Sequence, residues 1–273
     1  MYKARSKVVS VEHTEAITFS VSPQSYLPST CSVISINSKT KLPIMSDNIT
    51  IIIKNKSDQV EQFMIFNDKP AYSKEVGEAW TNVWGTSPGI GAQHGSGRFG
   101  IQETFYAVCG MEPKALAKDL VVSTSDYEDV KLGVGEQKGT DCLLEIVDGG
   151  AVFNQSKVGT LDKNGSFGIR TDKYDLTKYK NAFCGLGMKS PVPNIEDVVP
   201  VSVWQAKPNQ AYQITPKRIY YISTGDYKAG RIVNVAEFGK VCTIDFTGRK
   251  ETIATVIYNN DLDYEKVEYS FDS

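Results

Sequence analysis

Proton-transfer chemistry in this chain centres on His94, one of two histidines. An imidazole titrates near neutral pH, so His94 can move a proton or hold a hydrogen bond. Arg98, four residues on, carries a fixed charge suited to an enolate or carbonyl oxygen, and Tyr106 supplies a phenolic donor. His94, Arg98 and Tyr106 are therefore the catalytic candidates. Trp80, Asn82, Trp84 and Phe105 flank them and are the candidates for holding a substrate. Residues two apart on a strand share a face, so both indoles and the amide are expected to make one gripping surface for a planar apolar ligand. Trp204 and Tyr221 complete the binding candidates; Tyr220 and Tyr221 are consecutive and must face opposite ways. The plainer reading of the same residues is an apolar core beside an exposed loop histidine.

Other chemistries find little footing. Gly95-Ser96-Gly97-Arg98-Phe99-Gly100 spells G-x-G-x-x-G, but a dinucleotide site needs a strand before the glycines and a helix after them. Residues 101–108 read as a strand, so a flexible hairpin loop is expected at 95–100. Gly95-Ser96-Gly97 beside His94 resembles a nucleophile only in sequence, because a triad is defined by geometry. His13 and His94 belong to no metal-ligand pattern, and the acidic clusters 126–129 and 261–263 lack calcium-loop spacing. The expectation is no metal and no cofactor. Five cysteines, Cys31, Cys109, Cys142, Cys184 and Cys242, are widely spaced without a Cys-x-x-Cys pair, and most read as small buried hydrophobes.

The elements that must position these groups are strands. Period-two alternation recurs: Ile49, Ile51 and Ile53 against Thr50, Ile52 and Lys54, then Val267, Tyr269 and Phe271 against Lys266, Glu268 and Ser270. Residues 17–21 behave the same way. Further β-rich runs cover 63–66, 105–108, 120–123, 143–147, 199–204, 219–223 and 253–258. Turn chemistry at 148–150, 162–165, 224–226 and 259–261 separates them, and the last predicts a C-terminal hairpin. Helical signal is confined to one short turn at Pro113–Lys118. The chain is accordingly expected to be all-β, an antiparallel β-sandwich or barrel-like double sheet with very little helix. One domain over 1–273 is expected, with the weakest join near 188–200, where Pro191 and Pro193 fall.

A net charge of −2 gives no electrostatic reason for a nucleic-acid partner. The basic residues between Lys217 and Lys250 are mixed with acids and read as a solvated face. No apolar run approaches the ~20 residues of a membrane span. The opening lacks the apolar core of a signal peptide, which fits a cytoplasmic protein or a secreted one whose leader was removed. Four glycosylation triplets, at Asn48, Asn55, Asn154 and Asn164, would matter only in the second case. Exposed strand edges make a homodimer plausible.

Four phrases carry a family resemblance: residues 81–89 (TNVWGTSPG), 105–110 (FYAVCG), 212–216 (YQITP) and 221–227 (YISTGDY). From about Ile49 onward the chain resembles a widespread group of fungal all-β proteins related to the cofactor-free hetero-Diels–Alderases of tropolone–sesquiterpene biosynthesis. The resemblance implies a cofactor-independent cyclase or hetero-Diels–Alderase of secondary metabolism that binds an apolar oxygenated substrate in an aromatic pocket. Such an enzyme would work by holding two partners in a near-attack arrangement and polarising an oxygen. The residues alone equally fit a non-catalytic β-sandwich that binds carbohydrate or lipid, or a structural surface protein.

Overall fold

Alternation becomes burial in the first strand. In β1 (Asn48–Asn55) Ile49, Ile51 and Ile53 point into the core while Thr50 and Ile52 are only half-covered. The computed structural model describes residues 48–73 and 76–272, and all of them lie in one compact unit. The strands that follow are β2 (Phe63–Asn67), β3 (Ala71–Tyr72), β4 (Ala79–Asn82), β5 (Gly85–Thr86), β6 (Gly95–Gln102), β7 (Phe105–Met111), β8 (Asp126–Val130), β9 (Gly139–Val147) and β10 (Gly150–Phe153). After these come β11 (Gly159–Leu161), β12 (Phe167–Thr171), β13 (Ala182–Lys189), β14 (Val198–Gln205), β15 (Ala211–Thr215) and β16 (Ile219–Thr224). The last are β17 (Ile232–Val233), β18 (Cys242–Asp245), β19 (Ile253–Tyr258) and β20 (Glu268–Ser270).

Among the described residues these strands form four sheets, in the orders β20-β19-β1-β6, β10-β9-β12-β15-β3 with β11 beside β9, β17-β4-β14-β13-β7-β8, and β18-β16-β2-β5. The architecture is an all-β sandwich of several sheets, none closed into a barrel. Pairing is antiparallel except for β1 with β19 and β9 with β12, which run parallel. One apolar cluster draws on all four sheets, through Ile51 and Phe99, Cys142 and Phe167, Leu186 and Trp204, and Phe63 and Tyr220. That shared burial is the dominant favourable term holding the sheets together.

Several expectations are corrected. The glycine-rich stretch 95–100 is strand β6, paired with β1 along its whole length, and not a hairpin loop. Its glycines allow close approach: a Cβ on Gly95 would fall 2.1 Å from the Gly91 carbonyl oxygen, and one on Gly97 would meet the Ile90 side chain. Pro113–Lys118 forms no helix, and 120–123 contributes only an isolated bridge from Val121 to Arg231. Both segments lie against the third sheet, where Leu116 and Leu120 cover Val122, Phe183, Val203 and Ile232, so packing overrides local propensity. The short helical turns present are 3-10 turns at Gln155–Lys157 and Val235–Glu237, capped by Asn154 and Asn234. The proline-bearing segment near 191 is the turn joining β13 to β14, neighbours in one sheet. The C-terminal hairpin forms as expected: β19 pairs with β20, and the Asn259 side chain accepts from the amides of Asp261 and Asp263. The 17–21 run, His13 and Cys31 lie outside the described residues.

The same close approach yields a test. Gly95→Ala should lower the urea unfolding midpoint, because the added methyl meets backbone and not a yielding side-chain tip. An unchanged midpoint would show that this approach is not needed.

Candidate functional site

Trp80 is anchored through its backbone. It sits opposite Val203 in the β4–β14 pair. Ser202 Oγ donates to the Trp80 carbonyl at 2.8 Å and accepts from the Tyr72 hydroxyl at 2.5 Å. One residue earlier, Lys69 Nζ donates to the Ala79 carbonyl at 2.6 Å. The ring leaves the outer face of the third sheet and packs beside Leu116 against Phe183 and Val203, half-buried.

A groove of 190 Å³ opens next to this indole. Leu116 and Ala115 form its other apolar wall, and Asn181, Gln205, Lys180, Lys207 and Glu78 supply polar groups. It continues over Pro113 and Lys114 into a shallower recess of 350 Å³ that shares Ala115, Lys180, Asn181 and Gln205. The backbones carrying the lysines are fixed. Gln205 Nε2 donates to the Lys180 carbonyl at 2.7 Å, and the Lys207 amide donates to the Tyr212 hydroxyl at 2.8 Å. The Thr171 hydroxyl donates to the Lys207 carbonyl. The side chains of Lys180 and Lys207 are exposed. Asn181 Oδ1 is buried and has no hydrogen-bond partner among the described residues. An apolar wall with a few convergent polar groups is the usual make-up of a small-molecule site.

The remaining predicted residues do not gather here. Trp80 and Trp84 do not share a face, because β4 ends at Asn82 and the chain crosses to β5 in the fourth sheet. Trp84 is 0% exposed, stacks on Tyr220 with ring centroids 6.0 Å apart, and donates its indole N–H to the Lys189 carbonyl at 2.9 Å. Trp204 is also 0% exposed, with the rings of Tyr72 and Tyr212 edge-on to it. Asn82 is fully buried and donates to the Gly230 carbonyl at 2.8 Å. Phe105 packs against the main core, and Tyr106 is buried with Tyr127 edge-on to it. Tyr221 lies against Phe66 in a separate cluster on the fourth sheet. His94 is exposed in the turn that leads into β6.

Arg98 lines a second groove, of 290 Å³, beside Pro191, Val192 and Ile195. The two grooves lie at opposite ends of the β13–β14 hairpin, whose strands of 8 residues each span on the order of 20 Å. A ligand against Trp80 is thus out of reach of Arg98. The sequence reading missed Lys180, Asn181, Leu116 and Lys207. A signal for the lysines existed: pairing the apolar runs 182–189 and 198–205 as a hairpin places Lys180 and Lys207 at the same end.

Titration behaviour in the interior is that of a structural core. Burial pushes the Cys142 and Cys242 thiols up to about 12 and also raises Cys109 and Cys184 well above the ordinary thiol value, with nearby Asp126 adding to the effect at Cys109. Cys109 and Cys184 face each other across β7 and β13 as free thiols. A buried thiol with a raised pKa holds little thiolate and is inert. Among the described residues, no three His, Cys, Asp or Glu side chains are grouped so as to hold a metal ion. No helix of the described residues is long and apolar enough to cross a membrane.

Fold and groove together define an all-β protein with a lysine-rimmed aromatic groove on the outer face of one sheet. The chain belongs to the RhiA family, whose model matches residues 46–265. No curated protein and no solved structure matches it.

Two outcomes follow from this placement. Acrylamide should quench the fluorescence of Trp80 and spare Trp84 and Trp204, so Trp80→Phe should remove the quenchable fraction. Equal quenching before and after the substitution would contradict the half-buried position of this ring. Ellman's reagent at pH 8 should leave Cys109, Cys142, Cys184 and Cys242 unmodified in the folded protein and label them in urea, read by mass spectrometry; labelling without urea would show that these thiols are accessible.

Proposed function

We propose that this protein binds a small, flat, apolar organic molecule bearing oxygen atoms, with one face of the molecule on the Trp80 indole. The observation that carries the reading is the groove itself, in which a firmly held half-buried indole and Leu116 face amide and ammonium donors. Stacking on the ring would supply affinity, and Lys180, Lys207 and Gln205 would orient the oxygens.

In its catalytic form the reading is a cofactor-independent cyclase of the hetero-Diels–Alderase kind, acting in secondary metabolism. The four phrases that resemble the fungal group all fall inside the span matched by the family model, which supports this form. Catalysis would rest on holding two reactants at attack distance, with a lysine ammonium hydrogen-bonded to the oxygen that gains charge. The alternative is binding without turnover. It is favoured by the positions of His94, Arg98 and Tyr106, none of which lines the groove.

Ligand titration followed by tryptophan fluorescence tests the site. Trp80→Ala should weaken binding of a flat aromatic ligand about tenfold, equivalent to ~1.4 kcal/mol, with the far-UV circular dichroism spectrum unchanged. Undiminished affinity would remove the groove from the function. Incubation of wild-type protein with an enone or quinone methide as heterodiene and an alkene as dienophile separates the two forms, since only the catalytic one accelerates cycloadduct formation above background. His94→Ala should leave binding and turnover at wild-type levels, and a loss there would return that residue to the site.

A further inference from the structure

We infer that the ligand of the Trp80 groove is an anion, a flat aromatic ring system carrying a carboxylate or sulfonate-like group; the inference rests on the reading just given. The groove and its adjoining recess are lined by Lys114, Lys180 and Lys207 against one acid, Glu78. That is a local excess of two positive charges in a chain whose net charge is −2. None of these four side chains is engaged in an ion pair among the described residues, although ion pairs occupy many lysines elsewhere, including Lys118, Lys157, Lys189, Lys217 and Lys240. Lys207 Nζ lies over Gly77, a groove-lining residue, 3.7 Å from where a Cβ on that residue would stand.

Charge and shape combine in one direction. The indole and Leu116 offer a flat apolar seat, and the ammonium groups stand at its edge. A neutral hydrocarbon would fill the seat and leave the lysines unused. A simple inorganic anion would meet the lysines and gain nothing from the rings. A flat organic anion satisfies both. The lysines are exposed, so their attraction is screened by salt over the ~10 Å Debye length at 0.1 M.

A matched pair of fluorescent probes tests this: 8-anilinonaphthalene-1-sulfonate, an anion, and N-phenyl-1-naphthylamine, the same rings without the charge. Each is titrated into the full chain at low and high salt. The anion should bind about tenfold tighter at low salt and lose that advantage at high salt. Replacing both Lys180 and Lys207 by Gln should cost the anion about tenfold and leave the neutral probe unchanged. Trp80→Ala should weaken both probes. If the two probes bind alike and the lysine substitutions change neither, the anion is overturned while the groove stands. If Trp80→Ala changes neither probe, or neither binds, the groove itself is wrong.

Discussion

Trp84 is the joint on which the arrangement of the sheets depends. The chain enters it from β4 of the third sheet and leaves into β5 of the fourth. Its backbone N–H donates to the Ile65 carbonyl of β2, its ring stacks on Tyr220 of β16, and its indole N–H donates to the Lys189 carbonyl at the end of β13. One residue thus ties two sheets together by main chain, ring face and side-chain donor. Buried indoles usually find a partner for the N–H, and for Trp84 it is a main-chain carbonyl, whereas Trp204 Nε1 has none among the described residues. The ring also fills space within the apolar cluster that the sheets share.

This crossing also determines where a site can be. Because the inner faces of all four sheets feed one apolar cluster, the large aromatics aimed inward serve packing. Trp204, Tyr212, Tyr72 and Tyr220 belong to that interior. Only a ring on an outer face, beside a segment that does not close over it, can meet a ligand. Trp80 is such a ring. The segment 113–120 crosses near it without forming a helix, and Leu116 reaches down to the same cluster that Trp80 covers. The result is a cleft with a rigid apolar floor, since β4, β14 and the Tyr72–Ser202–Trp80 hydrogen-bond chain hold the floor in place.

Rigidity of the floor and freedom of the rim suit recognition. The backbones under Lys180 and Lys207 are anchored by Gln205, Tyr212 and Thr171, whereas the two residues are otherwise exposed. A preorganised base lowers the cost of ordering the site when a ligand arrives. The exposed histidine and the arginine of the second groove lie elsewhere on the surface, and the buried thiols are locked in the protonated form by desolvation. The RhiA family model spans residues 46–265, from β1 through β19, so the groove lies within the matched span.

Residue order alone located several strands, among them those at 49–53, 63–66, 105–108, 199–204, 219–223 and 253–258, and much of which side of each faces inward, but not β12, β13 or β15. Ile49, Ile51 and Ile53 alternate because adjacent side chains on a pleated strand point opposite ways, and that information is local. The hairpin around Asn259 was legible for the same reason: a turn residue and two flanking alternations suffice. The pairing of Trp80 with Trp84 was misread because strand parity holds only while the strand lasts, and β4 stops at Asn82. Nothing in residues 79–85 marks that end; it is imposed by the better burial available to Trp84 between β2, β13 and β16. The groove was illegible for a related reason. Trp80, Leu116, Lys180 and Lys207 are separated by long stretches of chain, and only the pairing of β4, β13 and β14 in one sheet makes them neighbours. Local alternation is written in adjacent residues, whereas the meeting of distant ones is settled by which surfaces bury best together.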